Sequence, residues 1–356
     1  MTQFTQTPDL AWLYEPVAQV DTNARAAAEA RQAQLTKPPG SLGRLEQLAV
    51  DFAGWQGRSV PAIDRIGLAV FAADHGVAAQ GVSAFPQSVT AQMVANFAAG
   101  GAAVAVLARR AGANMTVVNL GTVSATAHVP GVVNHDLAPG TADFTEAPAM
   151  SQATLAKALA VGAHHVTPNL SLFVGGEMGI ANTTSAAAVY AALAGREAAT
   201  VVGRGTGVND AGLAAKQTAV HRGLTQHAPA WAGQDQANAT QTILRCLGGL
   251  EIAALTGAYI AAAQRSVPVV VDGFIASVAA LAAARINPGV ADWLVYGHRS
   301  AEAGHAQVLA DLNAQPLLDL GMRLGEGSGA MMAVPVIQNA LVLHAGMATF
   351  AEGGLA

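Results

Sequence analysis

Short apolar runs alternate with longer alanine-rich runs through the middle of this 356-residue chain. The short runs have the length and β-branched content of strands buried on both faces, and the longer runs have the length of helices. The predicted strands are Ile66–Ala73, Met115–Leu120, Leu170–Val174, Ala199–Val202, Val267–Val271 and Trp293–Tyr296. The predicted helices are Val89–Arg109, Ser151–His164, Ser185–Leu193, Thr240–Gln264 and Phe274–Arg285. This alternation predicts an α/β fold with a doubly wound, Rossmann-like parallel sheet of about six strands.

The N-terminal segment has a different pattern. Residues 9–35 are rich in Ala and Gln with scattered charges, which predicts one or two helices. The sequence Lys37-Pro38-Pro39-Gly40 ends them, because a proline pair followed by glycine cannot continue a helix. Ser41 is predicted to cap a further helix. This segment therefore indicates a small helical subdomain, whereas the stretch Val123–Pro148 fits no helix and is predicted to form a hairpin or an extended loop.

Composition limits the possible classes of protein. A hydrophobic fraction of 52% with only 5% aromatic residues predicts a large core of Ala, Val and Leu. The single cysteine, Cys246, excludes an intramolecular disulfide and a cysteine-cluster zinc site. A net charge of −5 without a basic run argues against nucleic acid as a partner.

The nearest approach to a membrane span, Ser266–Ala284, is interrupted by Pro268, Asp272 and Gly273, so it predicts a strand, a loop and a helix. The N-terminus lacks a basic region followed by an apolar stretch, so we expect a cytoplasmic protein with no membrane span.

Each predicted strand ends beside a glycine and a polar or ionisable residue. Because parallel strands of an open α/β sheet present their carboxyl ends at one edge, where ligands bind, these turns predict a pocket at that edge. The six turns are Asp74-His75-Gly76, Asn119-Leu120-Gly121, Gly175–Gly179, Gly203–Gly207, Asp272-Gly273 and Gly297–Ser300.

Two of these turns are candidates for binding an anion. Gly175–Gly179 precedes the cap-forming run Asn182–Ser185, so free backbone N–H groups are expected to face the pocket and to favour a phosphate. Gly203–Gly207 could act similarly, although its G-x-G-x-G spacing also fits two tight turns without a ligand. Lys216 is a possible phosphate partner, and the alternative is a solvated surface lysine.

The stretch Arg323–Ala330 places one carboxylate, Glu326, between glycines that allow the backbone to approach a ligand closely. The alternative is a capping turn, because Glu also favours the first turn of a helix.

The sequence contains no G-x-S-x-G motif, no Walker A motif and no adjacent acidic pair after a strand. Their absence argues against the nucleophile elbow of a hydrolase and against a phosphoribosyl-pyrophosphate site. Asp74-His75 could ligate a metal with His298, but hydrogen-bonded histidines at strand ends are the preferred interpretation.

Five stretches, in this order along nearly the whole chain, resemble the nicotinate-nucleotide:dimethylbenzimidazole phosphoribosyltransferase family, which makes the lower-ligand nucleotide of cobalamin. They are Lys37–Glu46, Ala73–Val77, Gly176–Thr184, Asp272–Phe274 and Arg323–Ala330. The resemblance implies a small helical domain from residues 1–60 plus about 315–356, a large α/β domain from residues 61–314, and a homodimer. It further implies transfer of phosphoribose from nicotinate mononucleotide to 5,6-dimethylbenzimidazole, with no cofactor and no metal.

The resemblance also implies roles for individual residues. Glu326 corresponds to the family's proposed general base, which takes the proton that the attacking benzimidazole must lose. The substrate-binding set is completed by positions at the ribose-phosphate end, at the base-binding end, and within the Glu326 motif. These positions are Gly176, Glu177, Gly203, Gly205 and Lys216, then Phe85, Gln92 and Met93, and finally Leu324.

Two alternative functions remain at the level of sequence. A related phosphoribosyltransferase could prefer another acceptor base, because an apolar pocket distinguishes methyl groups by only ~1–3 kcal/mol. A non-catalytic nucleotide or base sensor could keep the fold, but the presence of Glu326 and of the Gly176-Glu177 turn argues against it.

Overall fold

The computed structural model describes residues 6–355 as a six-stranded, wholly parallel sheet flanked by helices. The strand order is β3-β2-β1-β4-β5-β6, so the chain builds one half of the sheet outward from β1 and then returns to build the other half from β4. The predicted doubly wound, Rossmann-like fold is confirmed. The strands are β1 (Ile66–Ala73), β2 (Asn114–Gly121), β3 (Val132–Asn134), β4 (Leu172–Met178), β5 (Val269–Val271) and β6 (Leu294–Tyr296).

Thirteen α-helices and three short 3-10 helices complete the described part of the chain. The α-helices are α1 (Thr22–Gln34), α2 (Arg44–Gln56), α3 (Ser88–Ala98), α4 (Ala103–Ala111), α5 (Gln152–His164), α6 (Asn182–Ala194), α7 (Ala198–Val201), α8 (Asp210–Trp231), α9 (Gln236–Leu247), α10 (Leu250–Gln264), α11 (Phe274–Ile286), α12 (His305–Asp311) and α13 (Ser328–Gly346). The 3-10 helices are Ala11–Tyr14, Gly76–Gln80 and Pro288–Trp293. Almost every residue of α10 and α11 is buried, which explains their lack of a polar face.

One predicted strand is wrong. Residues Ala199–Val202 mostly belong to the helix α7, in which Ala198 and Val201 are buried at a helical spacing of three. The sixth strand is instead β3, which lies inside the stretch Val123–Pro148 and pairs in parallel with β2. Of the two alternatives predicted for this stretch, the hairpin is therefore wrong, whereas an extended loop describes it apart from β3. Both segments are too short for their hydrophobic period to distinguish a helix from a strand.

Glycine pairs divide two of the predicted helices. Val89–Arg109 is split into α3 and α4 around Gly100-Gly101, and Thr240–Gln264 is split into α9 and α10 at Gly248-Gly249. Gly249 allows a close approach, since a Cβ there would lie 2.4 Å from Cε1 of His75.

The helix after Lys37-Pro38-Pro39-Gly40 begins at Arg44 with Gly43 as its N-cap, so the predicted cap at Ser41 is wrong. The Glu46 carboxylate instead accepts the Leu42 N–H, at 3.0 Å, and pairs with the Lys37 ammonium at 2.8 Å. Side-chain contacts within this stretch therefore fix the turn.

Helices from the two ends of the chain pack together. α2 contacts both α1 and α13, and α13 also contacts α4, β4 and β5. Two segments, Ser88–Ala111 and Ser328–Gly346, have the length and hydropathy of a membrane span, but the first contains the break between α3 and α4. Half of the apolar window in Ser328–Gly346 is buried inside the fold. Ser266–Ala284 forms β5, a loop and most of α11, as predicted.

Candidate active site

A cavity of about 370 Å³ lies at the carboxyl edge of the sheet. It is built from the end of β4, the starts of α6 and α11, one face of α3, and the loops that precede α8, α12 and α13. The lining residues are Phe85, Val89, Met93, Glu177, Met178, Gly179, Ile180, Asn182, Thr183, Gly205, Thr206, Gly273, Phe274, Ile275, Ser300, Glu302, Arg323, Leu324, Gly325 and Glu326. This position agrees with the general rule for ligand sites in open α/β sheets.

Glu326 is held in an unusual backbone conformation at this cavity. Its φ is +66°, and the glycines on either side, Gly325 and Gly327, have φ of +84° and +90°. The Glu326 carbonyl oxygen rests on Gly176, where a Cβ would lie only 2.1 Å from it. Asp272 accepts the N–H groups of Gly327 and Ala330 at 3.1 and 2.8 Å, which fixes the start of α13 behind Glu326.

The carboxyl group of Glu326 has the properties of a proton acceptor near neutral pH. Glu326 is only 6% exposed, and its Oε2 has no hydrogen-bond partner among residues 6–355. Burial raises the pKa of Glu326 to about 7, and the Val104 N–H and the Asp272 carboxylate act in opposite directions on that pKa. A carboxylate that titrates near 7 can both bind and release a proton under physiological conditions.

Glu177 lies beside Glu326, and both of its carboxyl oxygens accept hydrogen bonds from neighbouring groups. Its Oε2 accepts from the Asn182 side-chain amide, and its Oε1 lies 3.4 Å from the Glu326 backbone nitrogen. Burial raises the pKa of Glu177 well above its ordinary value, and the Asp272 and Glu251 carboxylates raise it further. Glycine suits position 325, because its φ is +84° and a Cβ there would lie 2.5 Å from Glu177 Oε1.

One end of the cavity carries the cationic groups. Lys216 is 1% exposed and donates to Thr183 Oγ1 at 2.8 Å, directly behind the lining residue Gly205. Burial lowers the pKa of Lys216 to about 8, and the Glu302 carboxylate opposes that change. The Arg323 guanidinium donates to the Gly205 carbonyl at 3.1 Å. This end therefore combines two cations with the N-terminus of α6, which suits an anion.

The remaining wall of the cavity is apolar and open to solvent. Phe85 and Leu324 are 51% and 56% exposed, although both are large hydrophobic residues. Val89, Met93 and Phe274 continue the same wall. An apolar wall with the buried Glu326 carboxylate at its edge suits a flat aromatic base that also has a polar ring atom.

Most of the sequence-predicted positions meet at this cavity. Glu326, Glu177, Gly205, Phe85, Met93 and Leu324 line it directly. Gly176 contacts the Glu326 carbonyl oxygen, and the Lys216 ammonium lies behind Gly205, outside the lining. Gly203 packs against Glu302 and Ala303, and Gln92 is exposed outside the lining.

Other predicted turns serve the framework. The Asn119 amide bonds Thr126 and Asn134, and Asp74 accepts the Val123 N–H, so both stabilise the loop after β2. His75 bonds Ser185 and Glu251, as expected of a hydrogen-bonded histidine.

The metal alternative finds no support in the described residues. His298 differs from the expectation, because neither ring nitrogen has a hydrogen-bond partner within residues 6–355. Within the same range, no three or more His, Cys, Asp or Glu side chains are grouped so that they could hold a metal.

Sequence reasoning did not select several polar lining residues as site residues. Arg323 lies in the quoted Glu326 motif, and Asn182 and Thr183 follow the Gly176-Glu177 turn, so their proximity to selected residues was a usable signal. Glu302 follows the turn Gly297–Ser300, but only the tertiary structure brings its carboxylate next to Lys216 and Arg323.

Comparison with known proteins places the chain in a family. A family profile described as Phosphoribosyltransferase matches residues 17–355. The chain belongs to this phosphoribosyltransferase family. It is 55% identical over 348 residues to the nicotinate-nucleotide–dimethylbenzimidazole phosphoribosyltransferase of Xanthomonas oryzae pv. oryzae, covering 97% of this chain and 98% of that protein. A protein of the same name from Pseudomonas aeruginosa is 52% identical over 350 residues, with 97% and 98% coverage.

Solved structures agree with this assignment. A nicotinate-nucleotide–dimethylbenzimidazole phosphoribosyltransferase from Thermus thermophilus is 40% identical, with a TM-score of 0.86 over 94% of this chain and 99% of that one. A second structure, CobT from the same organism, is 41% identical, with a TM-score of 0.87 and the same coverage. The family, the α/β fold and membership of an enzyme class are therefore shown for this chain.

Proposed function

We propose that this chain transfers phosphoribose from nicotinate mononucleotide to 5,6-dimethylbenzimidazole, giving α-ribazole 5′-phosphate and nicotinate, with Glu326 as the general base. The named relatives at 52% to 55% identity over nearly their full length support the substrates. The activity belongs to the synthesis of the lower ligand of cobalamin. The cavity offers an anion end, a carboxylate and an apolar wall for the three parts of this reaction.

The chemistry requires one proton acceptor. The lone pair of one benzimidazole nitrogen attacks C1′ of the ribose, while the bond from C1′ to the nicotinate nitrogen breaks and its electron pair returns to the pyridine ring. That ring nitrogen is quaternary in the donor, so nicotinate leaves without needing a proton. The second benzimidazole nitrogen then carries the excess proton, which passes to the Glu326 carboxylate. Attack opposite the leaving group converts the β bond of the donor into the α bond of the product.

The observation that carries the assignment is the state of the Glu326 carboxyl group. It is buried at the cavity wall, has one unpartnered oxygen, and has a pKa raised to about 7 by burial. Glu177, the other buried carboxyl in the lining, is bonded through both oxygens. Glu326 is therefore the group with free acceptor capacity next to the apolar wall.

The test is turnover of the variant Glu326→Gln with nicotinate mononucleotide and 5,6-dimethylbenzimidazole, followed by mass spectrometry of the ribotide. The amide keeps the size of the side chain but cannot accept the proton, so kcat is expected to fall roughly 100-fold or more. For the wild type, kcat/KM is expected to rise with pH up to about pH 7, because only the ionised carboxylate of the free enzyme is active, and to fall again above about pH 8 as Lys216 loses its proton.

Glu146→Gln is the matched control, since Glu146 is exposed and outside the cavity lining. Near-normal turnover by folded Glu326→Gln would refute the base assignment. Incubation with a panel of bases, including adenine, other benzimidazoles and phenols, measures the acceptor preference. Absence of every ribotide product would refute the transferase activity itself.

The assembly and location are also proposals. We expect a homodimer in the cytoplasm, on the basis of the family resemblance alone. Light scattering coupled to gel filtration measures the mass, and a value near that of one chain would contradict the dimer.

A further inference from the structure

Asp272 connects the end of β5 to the segment that carries the Glu326 base. It is 1% exposed and follows Val271, the last residue of β5. Its Oδ2 accepts the Gly327 N–H at 3.1 Å, and its Oδ1 accepts the Ala330 N–H at 2.8 Å. The N-cap of α13 is Gly327, which has no side chain that could cap the helix. The Asp272 side chain, at the end of β5, thus caps the start of α13 instead.

The segment on which Asp272 acts needs an external restraint. Gly325, Glu326 and Gly327 all have positive φ, and a left-handed conformation at a glutamate is strained. The Glu326 N–H makes only a long contact, 3.4 Å, with Glu177 Oε1. Backbone hydrogen bonds from the Ser328 and Met331 N–H groups, both 2.9 Å, also hold this segment, and the two bonds to Asp272 are the side-chain restraints that follow Glu326 along the chain.

Asp272 also influences the charge of Glu326. Its carboxylate raises the pKa of Glu326, although less than burial does. Burial raises the pKa of Asp272 itself, while His298 and the N–H groups of Gly273, Gly327 and Ala330 lower it. Hydrogen bonds from these N–H groups favour the ionised carboxylate.

The other groups around the pair come from separate elements. Glu177 faces the segment from β4, and His298 Nε2 lies 3.6 Å from Asp272 Oδ1 from the loop after β6. The Val104 N–H at the start of α4 lowers the pKa of Glu326. Arg323, in the preceding loop, is bonded to the Gly205 carbonyl.

We propose that Asp272 is a positioning residue for the transfer reaction, which holds the strained Glu326 segment in its reactive conformation and supplies a negative charge that strengthens Glu326 as a base. The proposal rests on the proposed function of Glu326. Its basis is the pair of hydrogen bonds from Asp272 to the residues immediately after the base, together with the absence of any other side-chain cap on α13.

The test is the kinetics of Asp272→Asn as a function of pH. The amide can accept only through its oxygen and carries no charge, so one N–H of the α13 start loses its acceptor. We expect kcat to fall roughly 10- to 100-fold, because a small displacement of a catalytic group is costly. The acidic limb of the pH profile is the range in which kcat/KM rises with pH. We also expect this acidic limb to move to lower pH, since the pKa of Glu326 falls when the facing negative charge is removed.

Asp235→Asn is the matched control. Asp235 is the N-cap of α9, accepts the Asn238 N–H at 3.0 Å, and lies outside the cavity lining, so it undergoes the same chemical change at a helix start. We expect wild-type kcat and an unmoved acidic limb for this variant. Wild-type kinetics for folded Asp272→Asn, or a loss of kcat with an unmoved limb, would overturn the proposal.

The double variant Asp272→Asn with Glu326→Gln separates this proposal from the proposed function. If Asp272 acts through Glu326, the second change adds little to the loss caused by Glu326→Gln, whereas multiplied losses would show an independent role and contradict the positioning role. Retained turnover in Glu326→Gln alone refutes the base assignment instead.

Should Asp272→Asn fail to fold by circular dichroism, Asp272→Glu takes its place. That variant keeps the charge but displaces the oxygens by one methylene, so a lower kcat with an unmoved limb is expected. A wild-type kcat, or a limb moved to lower pH, would then count against the proposal.

Discussion

Glu326 shows how the demands on a proposed catalytic base oppose those of folding. The carboxyl group is buried without a partner for one oxygen, and its backbone has a left-handed φ. Burial raises its pKa from an ordinary 4.5 to about 7, which corresponds to about 3 kcal/mol of unfavourable free energy for the ionised form. The fold must supply that free energy elsewhere, as in other strained functional sites.

The variant Glu326→Gln is expected to be more stable than the wild type at pH 8. Because the folded-state pKa is raised, the contribution of Glu326 to stability is fully present below pH 4.5 and is lost as the pH rises through about 7. The gain from the neutral amide should therefore approach 3 kcal/mol at most at pH 8 and be much smaller at pH 4.5. Denaturant unfolding at both pH values measures it, and an equal gain at both would contradict the explanation.

Among the elements, the packing of α5 on α10 depends on backbone contact. A Cβ at Gly162 would lie 1.8 Å from the Ala254 carbonyl oxygen, and one at Gly257 would lie 2.1 Å from the Leu159 carbonyl oxygen. The glycines let the two helices approach more closely than side chains permit. α10 in turn packs on the sheet strands β1, β2, β4 and β5, so this contact supports the sheet beneath the cavity.

Gly162→Ala is expected to destabilise the protein by about 1–3 kcal/mol or more, because the added methyl group overpacks the α5–α10 contact. Gly346→Ala is the control: it is also a helical glycine, but a Cβ there meets nothing within 4 Å. That change should be neutral or stabilising by up to about 1 kcal/mol. Guanidinium unfolding measures the free energy of unfolding of both variants. Equal values would show that α5 and α10 can move apart to accept the methyl group without loss of stability.

Across the whole molecule, the proposed anion end of the cavity is expected to couple ligand charge to folding. A ligand that binds only the folded state stabilises it by mass action. Burial lowers the pKa of Lys216 to about 8, so this cation is mostly lost above pH 8 unless an anion is bound. Proton uptake should therefore accompany the binding of a phosphate group.

Nicotinate mononucleotide is expected to raise the melting temperature more at pH 7 than at pH 9. At the higher pH, binding must first protonate Lys216, which weakens affinity by up to about tenfold for each pH unit above its pKa. Nicotinate riboside, which lacks the phosphate, serves as the control and should not show this pH dependence. Thermal melts with each ligand measure the shift, and equal shifts with the nucleotide at both pH values would exclude a role for Lys216 charge.

The sequence by itself determined the parallel sheet, five of its six strands, the edge where the site lies, and the Glu326 motif. These features follow from the alternation of short and long apolar runs and from glycines beside polar residues, which carry a local signal. It did not determine β3 or α7: β3, unlike the equally short but fully buried β5 and β6, is only partly buried and depends on its pairing with β2, and α7 depends on the burial of Ala198 and Val201.

Only the tertiary structure decided which groups face each other across the cavity. Asp272 and Ala330 are 58 residues apart, and Glu177 and Glu326 are 149 apart, so no local pattern links them. Their hydrogen bonds and burial set the pKa of Glu326 and the strained conformation that presents it. The sequence shows the residue types. Their protonation states depend on interatomic distances and desolvation, which arise only when the chain is folded.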